Sequence, residues 1–191
     1  MLQRSSLLFI VSAPSGTGKT SVCRRLLRWI PDLIPSISYT TRPPRTDEQE
    51  GMDYWFVSPE TFQEKRDKGE FAEWAMVHGC FYGTPLEEIK KNIALGKDIL
   101  LTIDVQGAER LHQIFPKVIT IFLLPPSWEI LRERLGERKT DSREDMERRL
   151  NRARKEIAHC KDYDYLIINK DLEAAVEELR AIIIAERCRN Q

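Results

Sequence analysis

The chain has 191 residues, of which 41% are hydrophobic and 31% are charged, a length that suits one domain or one core with small inserted lobes. The 30 Lys and Arg residues balance the 30 Asp and Glu residues, which argues against binding nucleic acid by overall attraction to phosphate. The apolar runs are too short to span a membrane, and four cysteines without CxxC spacing favour reduced thiols in the cytoplasm.

The first predicted elements are a buried strand and a helix, joined by a glycine-containing loop. Residues 7–12 form a continuous apolar run, typical of a strand that is buried on both faces. Gly16 and Gly18 interrupt the run, and an apolar helical stripe follows to Ile30, where Pro31 stops it. The chain therefore begins with a strand–loop–helix unit.

Further buried strands alternate with helices along the second half of the chain. The apolar runs lie at 99–104, 118–124 and 165–169, and helical patterns lie at 106–114, 128–135, 145–159 and 172–188. Alternation of this kind predicts an α/β fold in which a parallel sheet is flanked by helices. Residues 36–95 break the rhythm with short alternating pieces at 36–41, 54–57, 71–77 and 80–83, which predict a small, partly antiparallel inserted lobe.

The loop after the first strand has the pattern of a phosphate-binding P-loop. Gly16 and Gly18 let backbone N–H groups turn toward an anion at the helix N-terminus. Lys19 is expected to reach the β- and γ-phosphates of a nucleoside triphosphate, and the Thr20 hydroxyl to ligate Mg²⁺. The predicted ATP-binding residues of the loop are Ala13, Pro14, Ser15, Gly16, Thr17, Gly18, Lys19 and Thr20.

A P-loop does not by itself define the reaction. A GTPase would carry Asn-Lys-x-Asp to recognise guanine, and the segment Asn169-Lys170-Asp171-Leu172 has leucine at the fourth position. Asp104-Val105-Gln106-Gly107 can be aligned with the DxxG element of GTPases, so that element alone leaves the GTPase reading open.

The inserted lobe carries the motifs on which a family resemblance depends. They are Ser38-Tyr39-Thr40-Thr41-Arg42-Pro43-Pro44-Arg45, Gly51-Met52-Asp53-Tyr54, Gly69-Glu70-Phe71-Ala72-Glu73-Trp74 and Tyr82-Gly83-Thr84, followed by Ile103-Asp104-Val105-Gln106-Gly107 and Ile168-Asn169. In order and spacing, over nearly the whole chain, the sequence resembles the guanylate kinases. The resemblance implies transfer of the γ-phosphoryl group of ATP to GMP, and to dGMP as a further acceptor, with Mg²⁺ as cofactor.

The resemblance also implies a division of the chain and an acceptor site. The P-loop core would comprise residues 1–36, 90–127 and 160–191, the GMP-binding lobe 37–89 and a helical lid 128–159. Arg42 and Arg45 would hold the GMP phosphate as forked donors, with hydroxyl groups from Tyr54 and Tyr82. Glu73 would accept the N1 and N2 donors of guanine, and Ser38 and Thr84 would donate to O6.

The Arg-rich segment 128–161 resembles the lid of the same family. By that resemblance Arg134, Arg138 and Arg149 contact the triphosphate and the transferring group, and the other arginines of the segment are expected on the solvated surface. Lys19 and Arg42 complete the predicted catalytic set. Asp104 ends a core strand and would hold an Mg²⁺-bound water or contact GMP, and Asn169 would lie near the adenine of ATP.

Two other functions remain as alternatives at this point. A guanylate-kinase-like domain that binds phosphopeptides without catalysis would keep Arg42 and Arg45 but tend to lose Lys19 and the lid. A kinase of a phosphorylated sugar would need the P-loop but not Glu73, Ser38 and Thr84. The residues present favour the nucleotide kinase, and no oligomeric partner is predicted.

Overall fold

The structure is a computed structural model that describes residues 5–46, 48–77, 79–136 and 143–189. Its helices are α1 (Lys19–Leu27), α2 (Pro59–Asp67), α3 (Leu86–Ala94), α4 (Val105–Ile114), α5 (Trp128–Gly136), α6 (Arg143–Ala158) and α7 (Leu172–Cys188), with a short 3₁₀ turn at Cys160–Asp162. Its strands are β1 (Leu8–Ser12), β2 (Leu33–Pro35), β3 (Tyr39–Thr40), β4 (Trp55–Phe56), β5 (Phe71–Val77), β6 (Cys80–Pro85), β7 (Asp98–Thr102), β8 (Ile119–Leu124) and β9 (Tyr165–Ile168).

The larger sheet has five strands in the order β2-β7-β1-β8-β9. Its recorded pairings β1–β8, β2–β7 and β8–β9 are parallel, with Phe9 opposite Ile119 and Ile121 opposite Tyr165. All five residues of β1 are buried, as expected for a central strand without a solvent face. The predicted α/β class, with a parallel sheet flanked by helices, is confirmed.

The smaller sheet has the order β4-β3-β6-β5 and combines one parallel with two antiparallel pairings. Phe62 of α2 is 1% exposed and stacks on Phe71 and Phe81 at centroid distances of 4.6 and 5.3 Å. These rings give the small sheet an apolar centre of its own. The inserted lobe is therefore mixed α/β, with two helices, α2 and α3, beside its strands.

The first helix ends three residues earlier than its apolar stripe predicts. Helix α1 stops at Leu27, and the N–H groups of Arg28 and Trp29 bond to the carbonyls of Arg25 and Leu26. These i→i−3 bonds form a tighter final turn, and they leave Trp29 38% exposed. The helix has therefore already ended four residues before Pro31, so Pro31 is not what stops it.

The chain divides into two compact units. Among the described residues one unit contains 5–8, 32–101 and 106–118, and the other contains 9–31, 102–105 and 119–189. The first includes the smaller sheet, and the second includes the glycine loop with helices α1, α5, α6 and α7. No helix within the described residues is long and apolar enough to cross a membrane.

Candidate functional site

The loop between β1 and α1 has the backbone of an anion cradle. Gly16 and Gly18 have φ angles of +87° and +94°, which side-chain-bearing residues rarely adopt. Gly18 is also the N-cap of α1 and supplies no side chain to satisfy the first-turn N–H groups. Backbone donors at the positive end of a helix dipole are suited to an anion, as the sequence predicts for this loop.

Two side chains predicted to bind ATP lie against the backbone of this loop. Asn169 is 5% exposed, and its Nδ2 donates to the carbonyl oxygen of Thr17 at 2.6 Å. Nη1 of Arg134 donates to the same oxygen at 3.4 Å. The fit is close, because a Cβ on Gly18 would lie 2.7 Å from Nδ2 of Asn169. Asn169 and Arg134 therefore support the loop, and their contacts with ATP stay predictions.

Lys19 begins α1, and its ammonium group is held beside the end of β7. Its Nζ donates to the carbonyl oxygen of Ile103 at 3.1 Å. Burial lowers the pKa of Lys19, and the neighbouring Cys23, Asp104 and Glu156 oppose that shift. The ammonium group of Lys19 is thus held in place at the start of α1, directly after the glycine loop.

A salt-bridged cluster that the sequence analysis missed adjoins Lys19. Arg152 of α6 donates from Nη2 to Oδ2 of Asp104 at 3.2 Å and from Nε to Oε1 of Glu156 at 2.8 Å. The side chains are only 25%, 16% and 12% exposed, respectively. Burial raises the pKa of Glu156, and Arg152 opposes that rise. The assignment of Arg152 to the solvated surface was wrong, because a buried carboxylate at i+4 and Asp104 together draw the guanidinium inward.

The remaining residues predicted to bind ATP or Mg²⁺ are Thr20, Arg149 and Arg138. Thr20 is exposed in the first turn of α1, and Arg149 is half-buried on α6. Arg138 lies outside the described residues. No group of three or more His, Cys, Asp or Glu with metal-ligand geometry occurs in the parts of the chain that the structure describes.

The predicted GMP-phosphate residues lie in the other unit, around Arg42. Nε of Arg42 donates to the Tyr82 hydroxyl at 3.2 Å, and Nη1 donates to the carbonyl oxygen of Pro43 at 2.7 Å. The guanidinium also lies over the ring of Tyr54 at 5.5 Å. Burial raises the pKa of Tyr54, so its phenol stays protonated and can donate a hydrogen bond. Arg42, Tyr54 and Tyr82 therefore form one cationic, donor-rich cluster.

Glu48 joins this cluster, although no sequence motif singled it out. It accepts from Nη2 of Arg42 at 2.7 and 2.8 Å and from the backbone N–H of Arg45 at 2.8 Å. Its side chain is 8% exposed, whereas that of Arg45 is 54% exposed. The spacing of an acid three residues after one arginine and six after another was the available signal.

The predicted guanine-binding carboxylate is buried between two antiparallel strands. Glu73 of β5 is 5% exposed and stands opposite Thr84 of β6, which is fully buried. The Thr84 hydroxyl donates to Oε1 of Glu73. Ser38 is half-buried just before β3, and its carbonyl accepts from the N–H of Trp55 at 2.9 Å. A carboxylate and hydroxyl held on one sheet can accept from and donate to a base edge.

The fold and the loop define a class of protein. A buried parallel strand, a loop with two glycines at positive φ, and a helix that begins with Lys19 and Thr20 are the features of a P-loop nucleotide-binding protein. The chain belongs to the guanylate kinase family, because the family model described as guanylate kinase matches residues 5–186.

Individual relatives agree with that family model. The chain is 51% identical to the guanylate kinase of Syntrophotalea carbinolica over 98% of its own length and 90% of the relative's. It is 50% identical to the guanylate kinase of Geobacter sulfurreducens, with 98% and 93% covered. Among solved structures, guanylate kinase from Anaplasma phagocytophilum superposes with a TM-score of 0.84 at 36% identity, with 99% of this chain and 90% of that chain covered.

Proposed function

We propose that this chain transfers the γ-phosphoryl group of ATP to GMP and yields ADP and GDP. Family membership makes it an ATP:GMP phosphotransferase. The observation that carries the choice of acceptor is the buried pair of Glu73 and Thr84 on the small sheet. A buried carboxylate needs donors, and the N1 and N2 positions of guanine supply two adjacent N–H groups.

Guanine selection would follow from how many further donors each base offers to the buried Glu73, which already accepts from the Thr84 hydroxyl. The N1 and N2 donors of guanine would bond to the carboxylate and release the Thr84 hydroxyl proton, which now bonds to Glu73; Thr84 and Ser38 would then donate to O6. Adenine has no N–H at N1 and presents its amino group at the other end of the edge, so it would turn a lone pair, and no donor, toward the carboxylate. A site built in this way discriminates strongly against the wrong base.

The phosphate of GMP is assigned to the cluster around Arg42. Arg42 and Arg45 would neutralise the phosphate, and the hydroxyls of Tyr54 and Tyr82 would donate to it. The Tyr82 hydroxyl already accepts from Arg42, so its own proton remains for a phosphate oxygen. The same contacts would serve dGMP, because none of the assigned groups depends on the ribose 2′-hydroxyl.

ATP is assigned to residues 13–20 and their neighbours. The loop N–H groups and Lys19 would hold the triphosphate, and Asn169 would lie near the adenine. Arg134, Arg138 and Arg149 would stabilise the negative charge on the transferring group. Because the nucleophile is already an anionic phosphate oxygen of GMP, positioning and charge neutralisation are enough, and a strong general base is unnecessary.

The donor set also suits a magnesium ion. Thr20 is exposed at the first turn of α1, and Asp104, which interacts with the adjacent Lys19, provides a carboxylate; both are hard oxygen donors of the kind Mg²⁺ prefers. Thr20 would hold the ion directly and Asp104 through water. When bound, Mg²⁺ supplies charge neutralisation to the β- and γ-phosphates. We place this reaction in the cytoplasm, as part of purine nucleotide metabolism.

The test is ADP release with ATP and Mg²⁺ in the presence of each of GMP, dGMP, AMP, CMP, UMP and dTMP. Fast release with GMP and dGMP alone is expected. Equal rates with AMP and GMP would contradict the role of Glu73. ATP binding without turnover on any acceptor would instead favour a non-catalytic phosphopeptide-binding domain, and turnover only on phosphorylated sugars would favour a sugar-phosphate kinase.

A further inference from the structure

Glu48 contacts both arginines of the predicted phosphate site, although the site assignment gives it no role. Its two oxygens accept from Nη2 of Arg42, and one of them also accepts from the backbone N–H of Arg45. Nη1 of Arg45 lies 3.9 Å from Oε1. The Glu48 N–H in turn donates to the Arg45 carbonyl at 3.1 Å. One carboxylate thus connects both arginines that are expected to hold the GMP phosphate.

The bonds to Arg42 determine how its guanidinium is presented. The Tyr82 hydroxyl accepts the N–H of Nε, the Pro43 carbonyl accepts one N–H of Nη1, and the Glu48 carboxylate accepts from Nη2. The plane of the group is fixed on three sides, and Nη1 has a second N–H to offer a ligand. An arginine held in this way loses less conformational entropy when a phosphate binds than one that is free to rotate.

A buried negative charge beside a phosphate site is electrostatically unfavourable for the ligand. A carboxylate that served only as a substitute for the absent phosphate would have to leave when GMP arrives. Glu48 is held independently of Arg42 by the backbone of Arg45, and its side chain is 8% exposed. These contacts favour a carboxylate that stays in place behind the arginines.

We propose that Glu48 is a positioning residue, which holds Arg42 and the Arg45 backbone in the orientation that binds the acceptor phosphate. The inference rests on the proposed function, because it deepens the assignment of the GMP-phosphate site. Glu48 does not touch the substrate in this proposal and acts through Arg42 and Arg45.

The experiment compares Glu48→Gln with wild type and with Glu87→Gln. Glu87 is a matched control, because its side chain is 81% exposed in the same unit and its ion pair, with Lys90 at 2.9 Å, lies at the surface. GMP and guanosine affinities are measured by calorimetry without ATP, and KM for GMP, KM for ATP and kcat are measured in the ADP-release assay. Guanosine lacks the phosphate, so it reports on the base site alone.

For Glu48→Gln we expect GMP affinity to fall and KM for GMP to rise by roughly tenfold, while guanosine affinity and KM for ATP stay within about twofold. Glu87→Gln should match wild type in every measurement. Unchanged or tighter GMP binding would overturn the proposal in favour of a displaceable substitute for phosphate. An equal loss of GMP and guanosine affinity would overturn it in favour of a general structural role.

A second variant covers the case in which Glu48→Gln does not fold. Glu48→Asp keeps the charge but shortens the side chain by one methylene, and it should weaken GMP binding without affecting guanosine. An unaltered GMP affinity in Glu48→Asp would overturn the proposal as well. If wild type itself binds GMP but shows no turnover, the proposed function fails while the phosphate-specific effect of Glu48 remains measurable.

Discussion

Single buried side chains carry the specificity expected of the acceptor site. Glu73 and Thr84 are 5% and 0% exposed and bond to one another, so their polar atoms are kept out of water. In the proposed site, a base that supplies the carboxylate with donors is favoured over one that turns a lone pair toward it. Replacing one carboxylate oxygen of Glu73 by an NH₂ group should therefore have a measurable effect on activity toward GMP.

The variant Glu73→Gln tests whether the buried carboxylate selects the base. The amide keeps one acceptor but replaces the other with an NH₂ group, which would face a guanine N–H. We expect kcat/KM for GMP to fall about 100-fold, with the slow rate on AMP unchanged or increased. The assay is ADP release, with the exposed Glu64→Gln on α2 as the control that should behave as wild type. An unaffected GMP rate would remove Glu73 from the base site.

Cysteine reactivity offers a second prediction at the residue scale. Burial raises the pKa of Cys23 to about 12, with Lys19 opposing the shift. Thiolate is the reactive form, so the raised pKa keeps the Cys23 thiol protonated and unreactive at pH 8. Iodoacetamide should label the exposed Cys188 in the native protein and leave Cys23 unmodified until the chain is unfolded. Peptide mass mapping reads the result, and rapid native labelling of Cys23 would contradict its burial.

Among the elements, the start of α1 depends most on backbone conformation. Gly18 has a positive φ and stands so near Asn169 that a Cβ would lie 2.7 Å from Nδ2. The carbonyl of Thr17, one residue earlier, accepts from Asn169 and Arg134. The loop conformation and the position of Asn169 are therefore linked.

Gly18→Ala and Gly69→Ala separate backbone strain from steric conflict. Gly69 also has a positive φ, +68°, but a Cβ there would meet nothing within 4 Å. Both variants should lose about 1–2 kcal/mol of unfolding free energy from the left-handed backbone. Only Gly18→Ala should also lose ATP affinity, by roughly tenfold or more, because Asn169 must move. Urea denaturation and ATP titration measure the two effects, and equal ATP affinities would show that the contact with Asn169 is unimportant.

At the scale of the whole molecule, the zero net charge is the sum of segments with different charge. Residues 1–41, which include the P-loop, carry 5 basic and 1 acidic side chain, and residues 42–90, which include the acceptor cluster, carry 6 and 11. The acidic total of residues 42–90 does not oppose the anion site proposed there, because Glu48 and Glu73 are both used in buried contacts. The predicted residues of the donor loop all lie in one compact unit, and the cluster around Arg42 lies in the other.

Lys19→Ala should therefore separate turnover from acceptor binding. Loss of the ammonium removes charge stabilisation from the β- and γ-phosphates, so kcat should fall by about 1000-fold or more. GMP affinity, measured by calorimetry, should stay within about twofold of wild type, because the assigned base and phosphate groups are untouched. Lys90→Ala, at an exposed position on α3, is the control. Turnover that survived in Lys19→Ala would refute the assignment of the phosphate loop.

Consecutive residues were enough to predict the P-loop, the parallel strands and the mixed inserted lobe. The reason is that burial on both faces, glycine at positive φ and the start of a helix are local properties, and Gly16, Gly18 and Lys19 lie within four positions of one another. The overrun of α1 past Leu27 shows the limit, since an apolar stripe does not reveal where i→i−3 bonds close the last turn.

The pairing of distant charges was decided by the tertiary structure alone. Arg152 meets Asp104 across 48 positions, and Arg42 meets Tyr82 across 40. Sequence alone suggested that Arg152 was a solvated helix residue, and it gave Glu48 and Glu156 no role. Periodicity tells which face of an element is apolar, but the partner of a charged group depends on where the fold brings other elements. The sequence thus determined the chemistry that is available, and the tertiary structure determined which of those groups meet.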